Sequence, residues 1–227
     1  MDYTERNLER KGIIYHLKNV CRILRECSIN YVIVGGIAAI LLGVDRITID
    51  IDIIVHVADS DEVKVIVECL KRGGYKIDLY EALEAFKDKT HFTILLESGR
   101  MIDFKYAEST LDFNTLKRKM IIKIDEEEIP ISPLEELIAA KLVVLGSQKD
   151  VEDALQLMYI YVDKIDWGLL ESYVGEKPLS YANKILSIIL REFKDDQATI
   201  NKIKELELLK GKIEEALNKT EKRVNST

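Results

Sequence analysis

Residues 46–57, Arg-Ile-Thr-Ile-Asp-Ile-Asp-Ile-Ile-Val-His-Val, constrain this chain more than any other stretch. Apolar residues recur at every second position, the period of a β-strand. Ile47, Ile49, Ile51, Ile53, Val55 and Val57 fall on one face, which the pattern predicts to be buried against helices. Arg46, Thr48, Asp50, Asp52, Ile54 and His56 fall on the other. Asp50 and Asp52 are thereby one pleat repeat apart, about 7 Å along the strand. Aspartate is depleted in strands, and like charges on one face repel. Something has to offset that cost, and a divalent cation bound between the carboxylates is the simplest agent.

The flanking residues point to phosphate chemistry. Tyr31 to Val34 reads as a short buried strand that ends in Gly35-Gly36, and residues 36–42 as a short buried helix closed by Gly43. A diglycine that opens a helix offers unpaired backbone N–H groups to an anion, and its missing side chains allow close approach. Downstream, residues 91–96 and 101–106 form two strands joined by Glu97-Ser98-Gly99-Arg100. In the second, Met101, Asp103 and Lys105 share a face, opposite Ile102, Phe104 and Tyr106. Asp50, Asp52 and Asp103 could then hold two divalent ions about 3.5–4 Å apart, which activate an acceptor hydroxyl and neutralise a leaving pyrophosphate. In that scheme Asp103 is the general base for the acceptor. Asp78 and Asp112 compete with it for the third position.

Elsewhere the periodicity predicts an amphipathic helix over residues 5–27 and another over 60–72, capped by Ser60 or Asp61. A strand is expected at 75–80, and 81–90 carries no clear signal. A helix over 109–120 precedes strands at 121–124 and 129–131 around an acidic turn. At Ser132-Pro133-Leu134-Glu135 a capping box with proline at the first helical position changes the character of the chain. Helical periods alone follow, at 133–145, 148–162, 167–174, 179–193 and 197–220, with the end from Lys219 expected to fray. The reading is α/β (α+β): a mixed sheet flanked by helices over residues 1–131, then a helical bundle over 132–227.

The pattern Gly35-Gly36, Ala38, Gly43, Arg46, Thr48, Asp50, Asp52 resembles the G-G/S…D-x-D signature of the polymerase-β-type nucleotidyltransferases. Its fuller form is similar to the small prokaryotic branch, which includes minimal nucleotidyltransferases and AbiEii-type toxins of toxin–antitoxin systems. A second segment, Leu137-Ile138-Ala139-Ala140-Lys141 followed by Lys149-Asp150-Val151-Glu152-Asp153, is similar to a helical segment of that branch. The likeness covers residues 30–160. It implies Mg²⁺ or Mn²⁺ held by Asp50, Asp52 and Asp103, and an NTP whose triphosphate sits at Gly35-Gly36. It also implies that Lys141 and Lys149 face the nucleotide across a cleft between the two domains, with Arg46 and Thr48 at family positions. The family usually has serine or glycine second in the loop, and Gly36 leaves backbone donors to do the work. Lys141 lies in an apolar run, where it could equally snorkel, and Lys149-Asp150 could be a local cap after Ser147.

At 227 residues, 47% hydrophobic and 32% charged, the chain suits a soluble globular protein. A net charge of −7 does not suit a protein that coats nucleic acid. Cys21, Cys27 and Cys69 are odd in number, lie in helix-like segments and read as reduced core residues of a cytoplasmic protein. A polar start and the lack of a long apolar run give no expectation of a signal peptide or a membrane span. The acceptor stays open among a tRNA end, a protein side chain and a small molecule, as do an antitoxin partner and an oligomer. Two rival readings are a catalytically degenerate nucleotide-binding module and a metal-dependent phosphohydrolase on the same acids.

Overall fold

The computed structural model describes residues 12–193 and 200–224. Residues 5–11 of the expected first helix and the polar stretch 194–197 lie outside them. The chain divides into two compact units, one running to Pro133 and the other from Leu134 on, with Leu42–Val44 belonging to the second.

The first unit is built on a mixed six-stranded sheet of order β3-β4-β2-β1-β6-β5. Its strands are β1 (Asn30–Val34), β2 (Asp50–His56), β3 (His91–Leu95), β4 (Met101–Tyr106), β5 (Met120–Ile124) and β6 (Glu127–Ile131). The neighbouring strands β2 and β4 are parallel, whereas β1 with β2 and β3 with β4 are antiparallel. The period-two pattern decides which face is covered. Ile51, Ile53 and Val55 of β2 and Ile102, Phe104 and Tyr106 of β4 are buried. Phe92 of β3 stacks on Phe104 with ring centroids 4.8 Å apart. Helix α1 (Ile13–Glu26) lays Leu17, Val20, Cys21 and Leu24 into this core and packs on β1, β2 and β6. Helix α3 (Ser60–Arg72) packs on α1, its N-terminus capped by the Asp59 carboxylate, which accepts from the N–H groups of Asp61 and Glu62.

The opposite face of the sheet carries the acids. At one end it is closed by a separate small cluster of Val32, Ile54 and Leu116, the last from helix α5 (Thr110–Arg118). Helix α2 (Gly35–Leu41) follows β1 without a break, and α4 (Leu79–Lys87) lies between α3 and β3.

Besides the cap of α3, which falls on Asp59 and not on Ser60 or Asp61, three expectations are corrected. Ile47 and Ile49 are 85% and 53% exposed, because β2 begins only at Asp50. Residues before Asp50 have nothing to pair with. The β4 ladder starts at Met101 opposite Asp50, and β1 gives way to α2 after Val34, which pairs with Asp52. Residues 75–80 form no strand; the Asp78 carboxylate accepts from the Tyr80 N–H and starts α4 instead. Finally, Cys27 and Cys69 form a disulfide that ties the end of α1 to α3, leaving Cys21 as the free, buried thiol. Burial pushes the Cys21 thiol up to about 12, an inert value.

The second unit is helical. Helix α6 (Leu134–Ala139) runs into a π-helical segment, Ala140–Leu145, that ends at Gly146 with φ +61°. Helices α7 (Gln148–Ile160), α8 (Trp167–Val174), α9 (Glu176–Phe193) and α10 (Ile200–Val224) follow. Leu137, Ile138, Ala154, Leu157, Met158, Leu170 and Leu179 form its core. No described helix is long and apolar enough to cross a membrane.

Candidate active site

The diglycine bend and Asp52 of β2 lie against each other. Gly35 has φ +61°, in the left-handed region that favours glycine. A β-carbon added there would lie 2.0 Å from Asp52 Oδ2, so the carboxylate occupies the space a side chain would need. One added at Gly36 would lie 2.8 Å from Thr48 Oγ1 and 3.2 Å from an Arg46 Nη2. The bend is therefore packed against Asp52, Thr48 and Arg46 together. Within residues 46–49 the alternation survives without a strand: Arg46 and Thr48 turn inward to the glycines while Ile47 and Ile49 turn to solvent.

The strand register supplies the rest. Asp52 pairs with Asp103 across the parallel β2–β4 ladder, and Asp103 pairs with Thr93 across the antiparallel β3–β4 ladder. Val34, Asp52, Asp103 and Thr93 thus form one row across four strands, with neighbouring strands about 4.8 Å apart. Asp50 lies one repeat along β2, opposite Met101. All three aspartates are half-buried, and partly desolvated like charges this close repel. Asp103 is partly compensated by Thr93, whose Oγ1 donates to its Oδ1. Asp50 Oδ1 is buried with no hydrogen-bond partner.

That donor set suits a hard divalent cation, being carboxylate oxygens only, with one buried oxygen unsatisfied. The side chains themselves do not yet converge: among the described residues, no three His, Cys, Asp or Glu groups stand close enough to share an ion. The strand register places Asp52 and Asp103 side by side, with Asp50 one repeat along β2.

Beside this row, Lys105 donates to both oxygens of Asp112, at 2.8 and 2.9 Å. Asp112 also forms a reciprocal capping box with Ser109 at the start of α5. Burial alone would push the Asp112 carboxyl up. The Lys105 ammonium and the donors of Ser109 and Glu108 outweigh it and hold the carboxyl below its usual range. Asp112 is thus committed to holding Lys105 and α5 in place.

The two lysines of the second unit differ. Lys141 is 1% exposed, its Nζ 2.6 Å from Asp153 Oδ2 and 3.3 Å from Asp150 Oδ1. Lys149 is exposed in the first turn of α7, where Ser147 accepts from the Asp150 N–H. Sequence reasoning did not find Thr93. A threonine in mid-strand carries no signal until the register sets it opposite an acid.

No protein-family model matches the chain, and no curated protein matches it by sequence. Solved structures do resemble it. JHP933 from Helicobacter pylori is 14% identical, with 100% of this chain and 97% of that one covered and a TM-score of 0.49. A second Helicobacter pylori chain, provisionally assigned as a nucleotidyltransferase, is 15% identical over 98% of each chain, with a TM-score of 0.48. An antigenic nucleotidyltransferase-like protein from Paracoccidioides brasiliensis is 14% identical, over 84% of this chain and 91% of that one, with a TM-score of 0.42. At these values the chemistry has to be argued from this chain's own residues.

Proposed function

We propose that the chain is a divalent-metal-dependent nucleotidyltransferase, which moves a nucleoside monophosphate from an NTP to an acceptor hydroxyl and releases pyrophosphate. The observation that carries this reading is the contact of Gly35 with Asp52, in a row that continues to Asp103. A bend stripped of side chains and a set of carboxylates are of use together when a phosphate and a cation meet. An acidic row alone repels a triphosphate, so the cation is what reconciles the two.

Asp50, Asp52 and Asp103 would hold Mg²⁺ or Mn²⁺, which when bound supplies charge neutralisation at the phosphates and acidifies the acceptor hydroxyl. The chain's residues do the rest. Gly35 and Gly36 let phosphate oxygens reach the backbone, and the Arg46 guanidinium beside Gly36 adds a positive charge there. Asp103 serves as the general base for the acceptor's proton, its carboxylate oriented by the hydrogen bond from Thr93. Thr48 packs against Gly36 and fixes the loop that carries Arg46.

The acceptor is a tRNA end, a protein hydroxyl or a small molecule, and the small-branch resemblance extends the proposal to a toxin with an antitoxin partner. The test is incubation with each α-labelled NTP and Mg²⁺ over an acceptor panel. Label in an acceptor with matching pyrophosphate supports transfer, and Asp52→Asn should abolish it. Phosphate or nucleotide released to water would instead identify the hydrolase reading. Full transfer by Asp52→Asn would remove the proposal.

A further inference from the structure

Thr93 is the group that the register adds to the acidic row. It lies in β3 directly opposite Asp103, and its Oγ1 donates to Asp103 Oδ1. On its other flank Asp103 has Asp52, a like charge, in the adjacent parallel strand. The carboxylate therefore stands between a repelling neighbour and a donor. A hydrogen bond from a neutral hydroxyl to a carboxylate is charge-assisted and stronger than one between neutral groups. Threonine is also stiff at χ1, so the strand backbone fixes where its hydroxyl points. The flanking β3 residues, His91 and Leu95, are exposed, as suits an edge strand, whereas Thr93 is half-buried.

We infer that Thr93 is a positioning residue: by engaging Oδ1 it fixes the plane of the Asp103 carboxylate and leaves Oδ2 for the cation site shared with Asp52. This rests on the proposed reading of the three aspartates. Hydrogen-bond partners of ligating carboxylates commonly change metal affinity by about 10–100-fold when removed. The same range is expected here. Valine at this position keeps the branched shape and the strand propensity while deleting only the donor, so the sheet should survive the change.

The experiment titrates Mn²⁺ into the full chain, without nucleotide, and follows bound ion by electron paramagnetic resonance. Wild type, Thr93→Val, Thr93→Ser and Asp52→Asn are compared, with each melting temperature recorded in the absence of metal. Thr93→Val should weaken Mn²⁺ binding at least about tenfold with its metal-free melting temperature close to wild type, and Thr93→Ser should restore affinity. If Thr93→Val binds as wild type does while Asp52→Asn has lost the ion, the role of Thr93 is overturned and the acidic site stands. If serine binds as weakly as valine, the hydroxyl is not the operative group, which also overturns the role. If wild type and Asp52→Asn bind alike, the reading of the aspartates fails and takes this inference with it.

Discussion

The Asp52 carboxylate fills the space where a side chain on Gly35 would begin, with Oδ2 only 2.0 Å from the position of a β-carbon there. Each residue thus dictates the other. A glycine is required beside a carboxylate this close, and the carboxylate lies against the bend at the end of β1. Gly35→Ala meets two costs, the clash and a left-handed conformation that costs an L-residue about 1–2 kcal/mol. The variant should lose transfer and stability together. Gly35→Ala/Asp52→Ala should recover stability with a coupling energy of about 0.5–3 kcal/mol, and no activity. Strict additivity in denaturant unfolding would show that the two side-chain positions do not compete.

Removing one acid should separate repulsion from metal binding. Without divalent ion, Asp50→Asn and Asp52→Asn should melt at or above the wild-type temperature, because like-charge repulsion is relieved. With Mg²⁺ the wild type should gain about 2.7 kcal/mol at a hundredfold excess over the dissociation constant, and the variants should gain far less. Calorimetry with and without Mg²⁺ reads both effects. An equal rise in all three proteins would place the ion elsewhere.

Asp112 predicts a pH dependence whose sign follows from its depressed carboxyl. A group whose folded pKa lies below its unfolded value contributes stability above the unfolded pKa, about 3.9 for aspartate, and loses it as pH falls through the folded value. Asp112→Asn gives up the ion pair with Lys105 and weakens the cap of α5, at a cost of about 1–3 kcal/mol near neutral pH. The gap between wild type and variant should be flat above about pH 5 and narrow below about pH 4. Urea unfolding across that range checks it; a gap that widens in acid contradicts the assignment.

The Cys27–Cys69 bridge spans a sequence separation of 42. Closing a loop of that length removes denatured-state entropy worth up to about 4 kcal/mol in the chain-entropy model. Cys27→Ser/Cys69→Ser should therefore unfold at lower denaturant than oxidised wild type, and reductant should bring wild type to the same midpoint. Thiol titration of the unreduced, denatured chain should find the single free thiol of Cys21, which the native protein shields. Three titrating thiols would show that the bridge does not form.

How much of this was legible in the sequence depended on whether a feature was local. The spacing of Asp50 and Asp52 is a local property of one strand, and the period-two pattern reads it directly. The diglycine was legible for the same reason. Asp103 could be named as an acid opposite an apolar face, but its place beside Asp52 depends on β4 pairing with β2, a non-local fact. Thr93 required one further pairing and stayed hidden. Ile47 and Ile49 misled because alternation says how side chains would point, not whether a neighbouring strand exists to pair with. The cysteines misled because a disulfide depends on where α1 ends relative to α3, which no spacing encodes.

Lys141 yields a prediction that separates packing from ligand binding. Its ammonium is buried between Asp150 and Asp153, and Asp153 is itself only 2% exposed. Removing one partner of a buried pair strands the other, at about 3–5 kcal/mol. Lys141→Ala should thus destabilise the helical unit by that order, visible as a lowered unfolding midpoint in the absence of any nucleotide. Lys141→Met/Asp153→Leu removes the fully buried pair, leaving the more exposed Asp150 to its bonds with Ser147, and should recover much of the loss, since a buried pair replaced by apolar groups of similar size is often neutral or better. Lys149→Met, at an exposed position in the first turn of α7, should shift the midpoint by no more than about 0.5 kcal/mol. A Lys141→Ala chain as stable as wild type, but with a raised KM for NTP, would reverse the assignment and make that ammonium a nucleotide contact.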